Sequence, residues 1–403
     1  MQKSEIIDLI KDSRIKSALE EQTGLIFEPQ RLNFKLALVM LVKNQEENIE
    51  NVLMKLRQTD IDEFIVVDTG STDQTVDILK SLDFISLYEL EWKEDFGYMR
   101  NKAAEFTDAD WILTVDSDEI LMTNVRLKSL IVALEDSVKV PFSVAFEQHY
   151  EGQSAYGYPE RLYSPKVSRY FGKVHEEVRD FENNPVQVIE SRVSITNLGI
   201  SKSENEKFDK SRRYTSLIYE MMKIEPENPR WLGFSTFEDL SQYYTEGEFE
   251  QLISKQLFEG ESSLLSEVII FQKHKYLLIL IERYASFLIA INQVEKALRL
   301  LLEGRKIFPQ NSYLLFFKVV AELEIIRQKA RKSLKENLAL YLSLDKERSY
   351  DESHQDTQLL ETGIAELNKL SGNKKVADII MSQITDERSL YFWENWNDIR
   401  DER

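Results

Sequence analysis

Two aspartates, Asp116 and Asp118, close the apolar run Trp111-Ile112-Leu113-Thr114-Val115, and Glu119 follows at once. In extended backbone, residues two apart point to the same side, so both carboxylates can face one ion or one ligand. Burying such a pair is expensive unless a positive group compensates it. A divalent cation carrying phosphates fits that need; a solvated turn after a strand is the plain alternative. A second acidic segment, Val66-Val67-Asp68-Thr69-Gly70-Ser71-Thr72-Asp73-Gln74-Thr75, is built the same way. Gly70 allows a tight turn, and Ser71 or Asp73 can cap a helix. Asp68 either serves that turn or accepts hydrogen bonds from a base or a ribose. Lys43, Asn44 and Glu46 follow another apolar run, and Asn44 either bonds to a ligand or braces its loop.

The complementary groups lie further along. In Trp92-Lys93-Glu94-Asp95-Phe96-Gly97-Tyr98-Met99-Arg100-Asn101, Arg100 could contact a diphosphate or sit on the surface. Asp95 could cap the helix that starts there or orient Arg100, and Trp92 and Phe96 could be core aromatics. His175 lies in Phe171-Gly172-Lys173-Val174-His175-Glu176-Glu177-Val178. A lone histidine is commonly structural, but with Asp118 it could complete a divalent-ion site whose other ligands are diphosphate oxygens and water. Glu176 or Glu177 could take a proton from an incoming nucleophile, and Arg161 or Lys173 could offset charge on a departing group.

The elements that must position these groups alternate. The patterning predicts strands at 36–42, 64–67, 84–90 and 111–115, and helices at 45–56, 73–82 and 98–106. Strand and helix in this rhythm imply a parallel sheet covered on both faces, with ligands at the carboxyl ends of the strands. Past Pro141, segments 142–150, 161–163 and 188–196 read as strands with no long helix between them. They should add antiparallel strands to the sheet. From residue 201 to about 385 the pattern is helical. Two stretches echo each other there: Glu225-Pro226-Glu227-Asn228-Pro229 before Trp231, and Phe308-Pro309-Gln310-Asn311 before Tyr313. A helix ended by Pro and Asn, then an aromatic-led helix, is how tetratricopeptide-like hairpins join; an irregular bundle is the alternative. The domains expected are an N-terminal helix and linker (1–34), an α/β domain (35–200) and a helical domain (201–403). The ending Leu390-Tyr391-Phe392-Trp393-Glu394-Asn395-Trp396 matches no motif.

Bulk composition narrows the function. A formal charge of −19 disfavours nucleic acid and anionic membrane as partners. A phosphorylated small substrate is still allowed, because a bound metal inverts the local field. With no cysteine, disulfides, thiolate nucleophiles and cysteine-based zinc sites are excluded. No window reaches 18 uninterrupted apolar residues, so a membrane span is not expected. The mixed charge of the start does not resemble a secretory signal, and a cytoplasmic setting is expected.

The ordered set 42–47, 68–75, 95–101 and 116–119 resembles the family 2 glycosyltransferases with the GT-A fold. The resemblance covers roughly residues 36 to 180. It implies an α/β GT-A nucleotide-diphospho-sugar transferase domain, a mixed and mostly parallel sheet between helices, followed by an all-α tetratricopeptide-like domain. It also implies that Asp68 contacts the uracil, Asp116 the ribose side and Asp118 a Mg²⁺ or Mn²⁺, with inversion at the sugar. Asn44, Glu46, Arg100 and Arg161 are the other donor-site candidates, and His175 the second metal candidate. Glu177, Glu176 and, less readily, Asp95 are candidates for the base. A narrower likeness is to the sublancin-type bacteriocin glycosyltransferases, carried by Gly172-Lys173-Val174-His175-Glu176-Glu177 and by Glu225-Pro226-Glu227-Asn228-Pro229-Arg230-Trp231-Leu232. It implies UDP-glucose as donor, a small precursor peptide modified on Cys or Ser as acceptor, and a homodimer. Related sequences act on lipopolysaccharide or cell-surface glycans. A repeat-based interaction protein and a nucleotidyltransferase are the readings outside this class.

Overall fold

In a computed structural model, residues 3–21, 29–122, 126–150, 157–198, 210–343, 357–387 and 389–391 are described. Residues 392–396 of the aromatic ending lie outside this set. The chain divides into two compact units, Met1–Pro226 and Glu227–Arg403.

The first unit is built on an eight-stranded sheet. Strands β1 (Leu36–Val42), β2 (Glu63–Asp68), β3 (Ser86–Glu89) and β4 (Trp111–Thr114) are parallel, in the order β3-β2-β1-β4. Each is an apolar run because both faces are covered. Leu36, Leu38 and Met40 of β1 join a core with Val52, Leu53 and Leu56 of α3 (Ile49–Leu56). Val39 belongs to the core on the other face, with Ala103 of α5 (Phe96–Ala104). The N-terminal helices α1 (Lys3–Leu9) and α2 (Ser13–Glu21) bury Ile6, Ile15 and Leu19 in the first of these cores, with Ile10 between them, as does α6 (Leu127–Ser137) with Leu127, Leu130, Ile131 and Leu134. Helix α4 (Thr75–Lys80) follows β2.

Past β4 the sheet is mixed. Strand β7 (Glu160–Tyr163) runs antiparallel to β4 and to β6 (Phe142–Tyr150). Strand β10 (Gln187–Asn197), however, pairs parallel with β6, and the short β5 (Glu119–Leu121) closes the edge antiparallel to β10. The expectation of purely antiparallel additions is therefore corrected. The hairpin β8–β9 (Ser168–Phe171 and Glu177–Asp180) leaves the sheet between β7 and β10, which frees β10 to run alongside β6.

Two predicted helices begin later than their patterns suggest. Before α3, Asn44 takes a left-handed φ of 52° and the Gln45 amide donates to Thr75 Oγ1, so 45–48 is a turn tied to the next loop. Before α4, Asp73 Oδ1 accepts from the Thr75 amide (3.0 Å), and the helix starts only there.

Helix α7 (Lys210–Ile224) completes the first unit. The change of texture at residue 201 groups it with the later helices, but its side chains are joined to the β8–β9 hairpin. Lys173 pairs with Glu220. Arg179 of β9 binds Glu225 just past the helix end at 2.6 Å. The second unit is all-helical: α8 (Glu246–Leu257), α9 (Leu277–Ala290), α10 (Val294–Ile307), α11 (Ser312–Ser343), α12 (Thr357–Leu370) and α13 (Lys374–Gln383). Thr245 and Glu248 form a capping box that starts α8. Among the described residues no helix is long and apolar enough to cross a membrane.

Candidate active site

The register brings the carboxyl ends of the central strands to one rim. Val42 lies opposite Asp68, and Val39 opposite Thr114, two residues before Asp116. Above this rim lies a cavity of about 530 Å³, large enough for a ligand of nucleotide size. Lys43, Arg100, Asp116, Asp118, Arg161, His175 and Glu176 all line it.

Asp116 is the centre of its charge network. Its Oδ1 accepts from Arg100 Nη2 and its Oδ2 from Arg161 Nη2, each at 2.8 Å. Burial alone would raise its pKa, but Arg161 and Arg100 outweigh burial and hold the carboxyl well below the usual carboxylate range. Arg100 Nε also binds Glu176 Oε1 at 2.6 Å. Arg161 also binds Glu119, a carboxylate with no exposed surface. Glu119 accepts from the Asp116 amide (3.0 Å) and from Gln148 Nε2 (2.6 Å). Burial is the largest influence on Glu119 and pushes its pKa up against the pull of Arg161. Two arginines thus hold three carboxylates in fixed positions, Asp116 and Glu176 in the cavity lining and Glu119 buried beneath it.

Helix α5 sets the position of Arg100, and the sequence of α5 explains how. Asp95 caps it by accepting from the Tyr98 amide at 2.8 Å. Gly97 lies against the backbone of Gly172; a Cβ there would meet the Gly172 carbonyl at 2.7 Å. Asn101 donates to the Tyr170 carbonyl (2.8 Å) and accepts from the Tyr170 amide (3.0 Å), continuing the β8 edge through a side chain. The result is to hold the 172–176 turn, with His175 at φ 48°, over the arginine. Tyr170 lies under Arg100 with its ring centroid 5.4 Å from the guanidinium. Burial pushes its hydroxyl pKa up to about 12.

The other predicted residues occupy different places. Asp68 is buried, and its carboxylate accepts from the Gly70 amide (2.9 Å) and the Ser71 amide (3.0 Å). Asn44 Oδ1 accepts from the Thr72 amide (2.7 Å), and Glu46 Oε2 from the Gln74 amide (2.8 Å). All three shape the 68–75 loop, and none lines the cavity. Glu177 points to Arg179 (2.7 Å to Nη2) and lies outside the lining, as does Asp95. Of the three base candidates only Glu176 lines the cavity.

Metal ligation can be tested on the donor set. Among the described residues no group of three or more His, Asp or Glu side chains could hold a metal ion. Both oxygens of Asp116 are taken by arginines; Asp118, Glu160, His175 and Glu176 are the other lining side chains of metal-binding type. Such a set fits an ion that arrives with a phosphate-bearing ligand better than a resident ion in an all-protein cage.

Several residues of the site escaped the sequence reading. Glu119, which lies beneath the lining as a partner of Arg161, carried a signal, its place three residues after Asp116. Gln148 and Tyr170 carried none. Nor did Arg213 and Tyr214 of α7, which reach the cavity from beyond residue 201. Tyr214 meets Phe96 and His175 edge-on, each at 5.9 Å between ring centroids, and burial pushes its hydroxyl pKa up to about 12.

Residues 37–190 match the family model described as Glycosyl transferase family 2. The first unit therefore carries a family 2 glycosyltransferase domain over residues 37–190. Among curated relatives, the SPbeta prophage-derived glycosyltransferase SunS of Bacillus subtilis (strain 168) is 34% identical over 206 residues, covering 48% of this chain and 47% of the relative. The O-antigen chain rhamnosyltransferase RfbN of Salmonella typhimurium is 34% identical over 106 residues, 25% of this chain and 34% of the relative. The chain spans about half the length of the first curated relatives it matches. Among solved structures, S. aureus TarS 1–349 in complex with UDP is 15% identical and has a TM-score of 0.34, covering 68% of this chain and 92% of that one. A score that low carries no argument about fold or ligand.

Proposed function

We propose that this protein transfers a hexose from a nucleotide-diphosphate sugar, UDP-glucose, to a Cys or Ser side chain of a small precursor peptide. The observation that carries this reading is the fixed carboxylate floor, Asp116 between Arg100 and Arg161 with Asp118 and His175 beside it, inside a family 2 domain. The likeness to SunS supports a peptide acceptor through the bacteriocin-type resemblance.

In this reading Asp116 faces the ribose, and Asp68 and its loop form the wall beneath the uracil, with Asn44 and Glu46 bracing that loop. Asp118 and His175 would hold a Mg²⁺ or Mn²⁺, whose chemistry is to neutralise the diphosphate as it leaves. Glu176 is the base: Arg100 engages Oε1, and Oε2 takes the proton of the incoming thiol or hydroxyl. A thiol gives up its proton more readily than a hydroxyl, so a carboxylate suffices for a cysteine acceptor. Attack opposite the leaving group inverts the anomeric centre. The strongly acidic chain favours a neutral or cationic acceptor. The second unit is read as tetratricopeptide-like hairpins that hold the peptide, a second copy of the chain, or both. A cytoplasmic setting fits a donor of this kind.

The likeness to the O-antigen rhamnosyltransferase favours a second reading, transfer to a surface glycan. Incubation with UDP-glucose, Mn²⁺ and either a cysteine-containing peptide or a glycan acceptor separates the two. Intact mass should show the peptide heavier by one hexose. Sugar on the glycan alone would replace the peptide reading with the second, and diphosphate released in place of UDP would overturn both.

A further inference from the structure

The cavity floor poses a problem of charge. A sugar nucleotide brings a diphosphate with several negative charges to a surface already holding Asp116, Asp118 and Glu176. The two deepest cations are already paired with carboxylates, although Arg100 Nη1 and Arg161 Nε, both buried, have no hydrogen-bond partner among the described residues. Arg100 is committed to Asp116 and Glu176, and Arg161 to Asp116 and Glu119. Both side chains are only 6% exposed, and turning either outward would leave buried carboxylates unpaired. Arg100, expected from sequence to meet the diphosphate, instead organises the floor.

Two other cations line the same cavity. Lys43 is exposed at the end of β1. Arg213 enters from the first turn of α7. Neither is hydrogen-bonded to a carboxylate among the described residues. Among the described residues, the ion pair of Arg213 is long, 3.6 Å from Nε to Glu94 Oε2, between side chains 33% and 55% exposed. Such a pair contributes little. Its buried Nε has no hydrogen-bond partner among the described residues. What holds the group in place is aromatic: the guanidinium lies 5.3 Å from the Trp92 ring centroid, 5.5 Å from Phe96 and 5.8 Å from Tyr214. Ring contacts fix a guanidinium while leaving N–H groups able to meet a phosphate in paired hydrogen bonds. Trp92 is itself fixed, donating from Nε1 to Glu94 Oε1 at 2.7 Å.

We infer that Arg213, seated on Trp92, Phe96 and Tyr214 and assisted by Lys43, binds the diphosphate of the sugar nucleotide and takes up its charge as the sugar departs. The inference rests on the sugar-nucleotide reading above. It gives helix α7 a direct part in donor binding, although that helix lies beyond the residues matched by the family model.

The test compares a nucleotide with its nucleoside. Uridine lacks the diphosphate, and calorimetric titration of the full chain with UDP and with uridine, each with Mn²⁺, isolates that contact. Arg213→Ala should lose about tenfold or more in UDP affinity while uridine affinity is unchanged, and Arg213→Lys should lose less. Lys43→Ala should show the same selective loss, smaller in size. Unchanged uridine binding also certifies that the variant is folded. Equal loss for UDP and uridine would mean a structural role and would overturn the inference. So would an Arg213→Ala protein that binds UDP as the wild type does. A wild-type chain that ignores UDP altogether would overturn the sugar-nucleotide reading and this inference together.

Discussion

The two acidic loops at the strand ends, 68–75 and 116–119, look alike as sequence and differ as chemistry. Asp68 closes β2 and spends its carboxylate on the amides of Gly70 and Ser71, within its own loop. Asp116 follows β4 and spends its carboxylate on arginines 16 residues before it and 45 residues after it. One is satisfied by local backbone and would be satisfied with or without a ligand. The other is satisfied only because α5 and β7 converge on it, and it lines the cavity. The lesson is that a strand-end aspartate becomes a candidate site residue when its partners come from distant parts of the chain, and not by its position alone.

This contrast can be broken by substitution. The largest effect is expected from Asp116→Ala, which leaves two buried guanidinium groups short of a partner. Removing one member of a buried pair costs roughly 3–5 kcal/mol, and the 39% exposure of the Asp116 side chain reduces the expectation to about 2–3 kcal/mol. Urea unfolding reads that loss, and sugar transfer should be abolished in the same protein. Stability equal to wild type would show that the arginines are not organised by Asp116. Next comes Gly97→Ala. Its Cβ would press on backbone that cannot swing aside, at a cost of about 1–3 kcal/mol. Because α5 carries Arg100, turnover should fall further than stability alone explains; normal turnover would refute a role for this close approach.

Asp68→Ala sharpens the other side. It removes one acceptor from a turn and should cost about 1 kcal/mol, with Asp68→Asn costing less. If Asp68 also meets the base, uridine affinity drops in Asp68→Asn while thermal stability hardly moves; equal uridine affinity confines it to the turn. The smallest effect is in acid. The folded-state pKa of Asp116 is lowered, so its contribution to stability is complete above the unfolded carboxylate value of about 4. That contribution is lost as the pH falls from there through the folded value. Asp116→Asn should therefore flatten the acid limb of the stability curve relative to wild type. An unchanged limb would show that Asp116 is not held ionised by its arginines.

Much of the first unit was legible because its signals are local. Strands β1, β2 and β4 are short apolar runs covered on both faces, and such runs announce themselves. Gly70 and Asp73 carry turn and cap chemistry wherever they stand. Helix starts were less legible. The 45–48 turn is fixed by Thr75, thirty residues away, and no window around Gln45 contains that information. The choice among Glu176, Glu177 and Asp95 was illegible for the same reason. The three are separated by which arginine or amide claims each one.

By itself the sequence determined which groups could do chemistry and that a parallel sheet would present them at one rim, since residue type and hydrophobic period are properties of short segments. Tertiary structure alone decided which carboxylates share a cation and that Gly97 must admit the Gly172 backbone. It alone brought Arg213 and Tyr214 of α7 to the cavity. The physical reason is range. Hydrogen bonds and ion pairs act over a few ångströms, and only the folded chain brings residues 100, 116, 161 and 213 to one cavity.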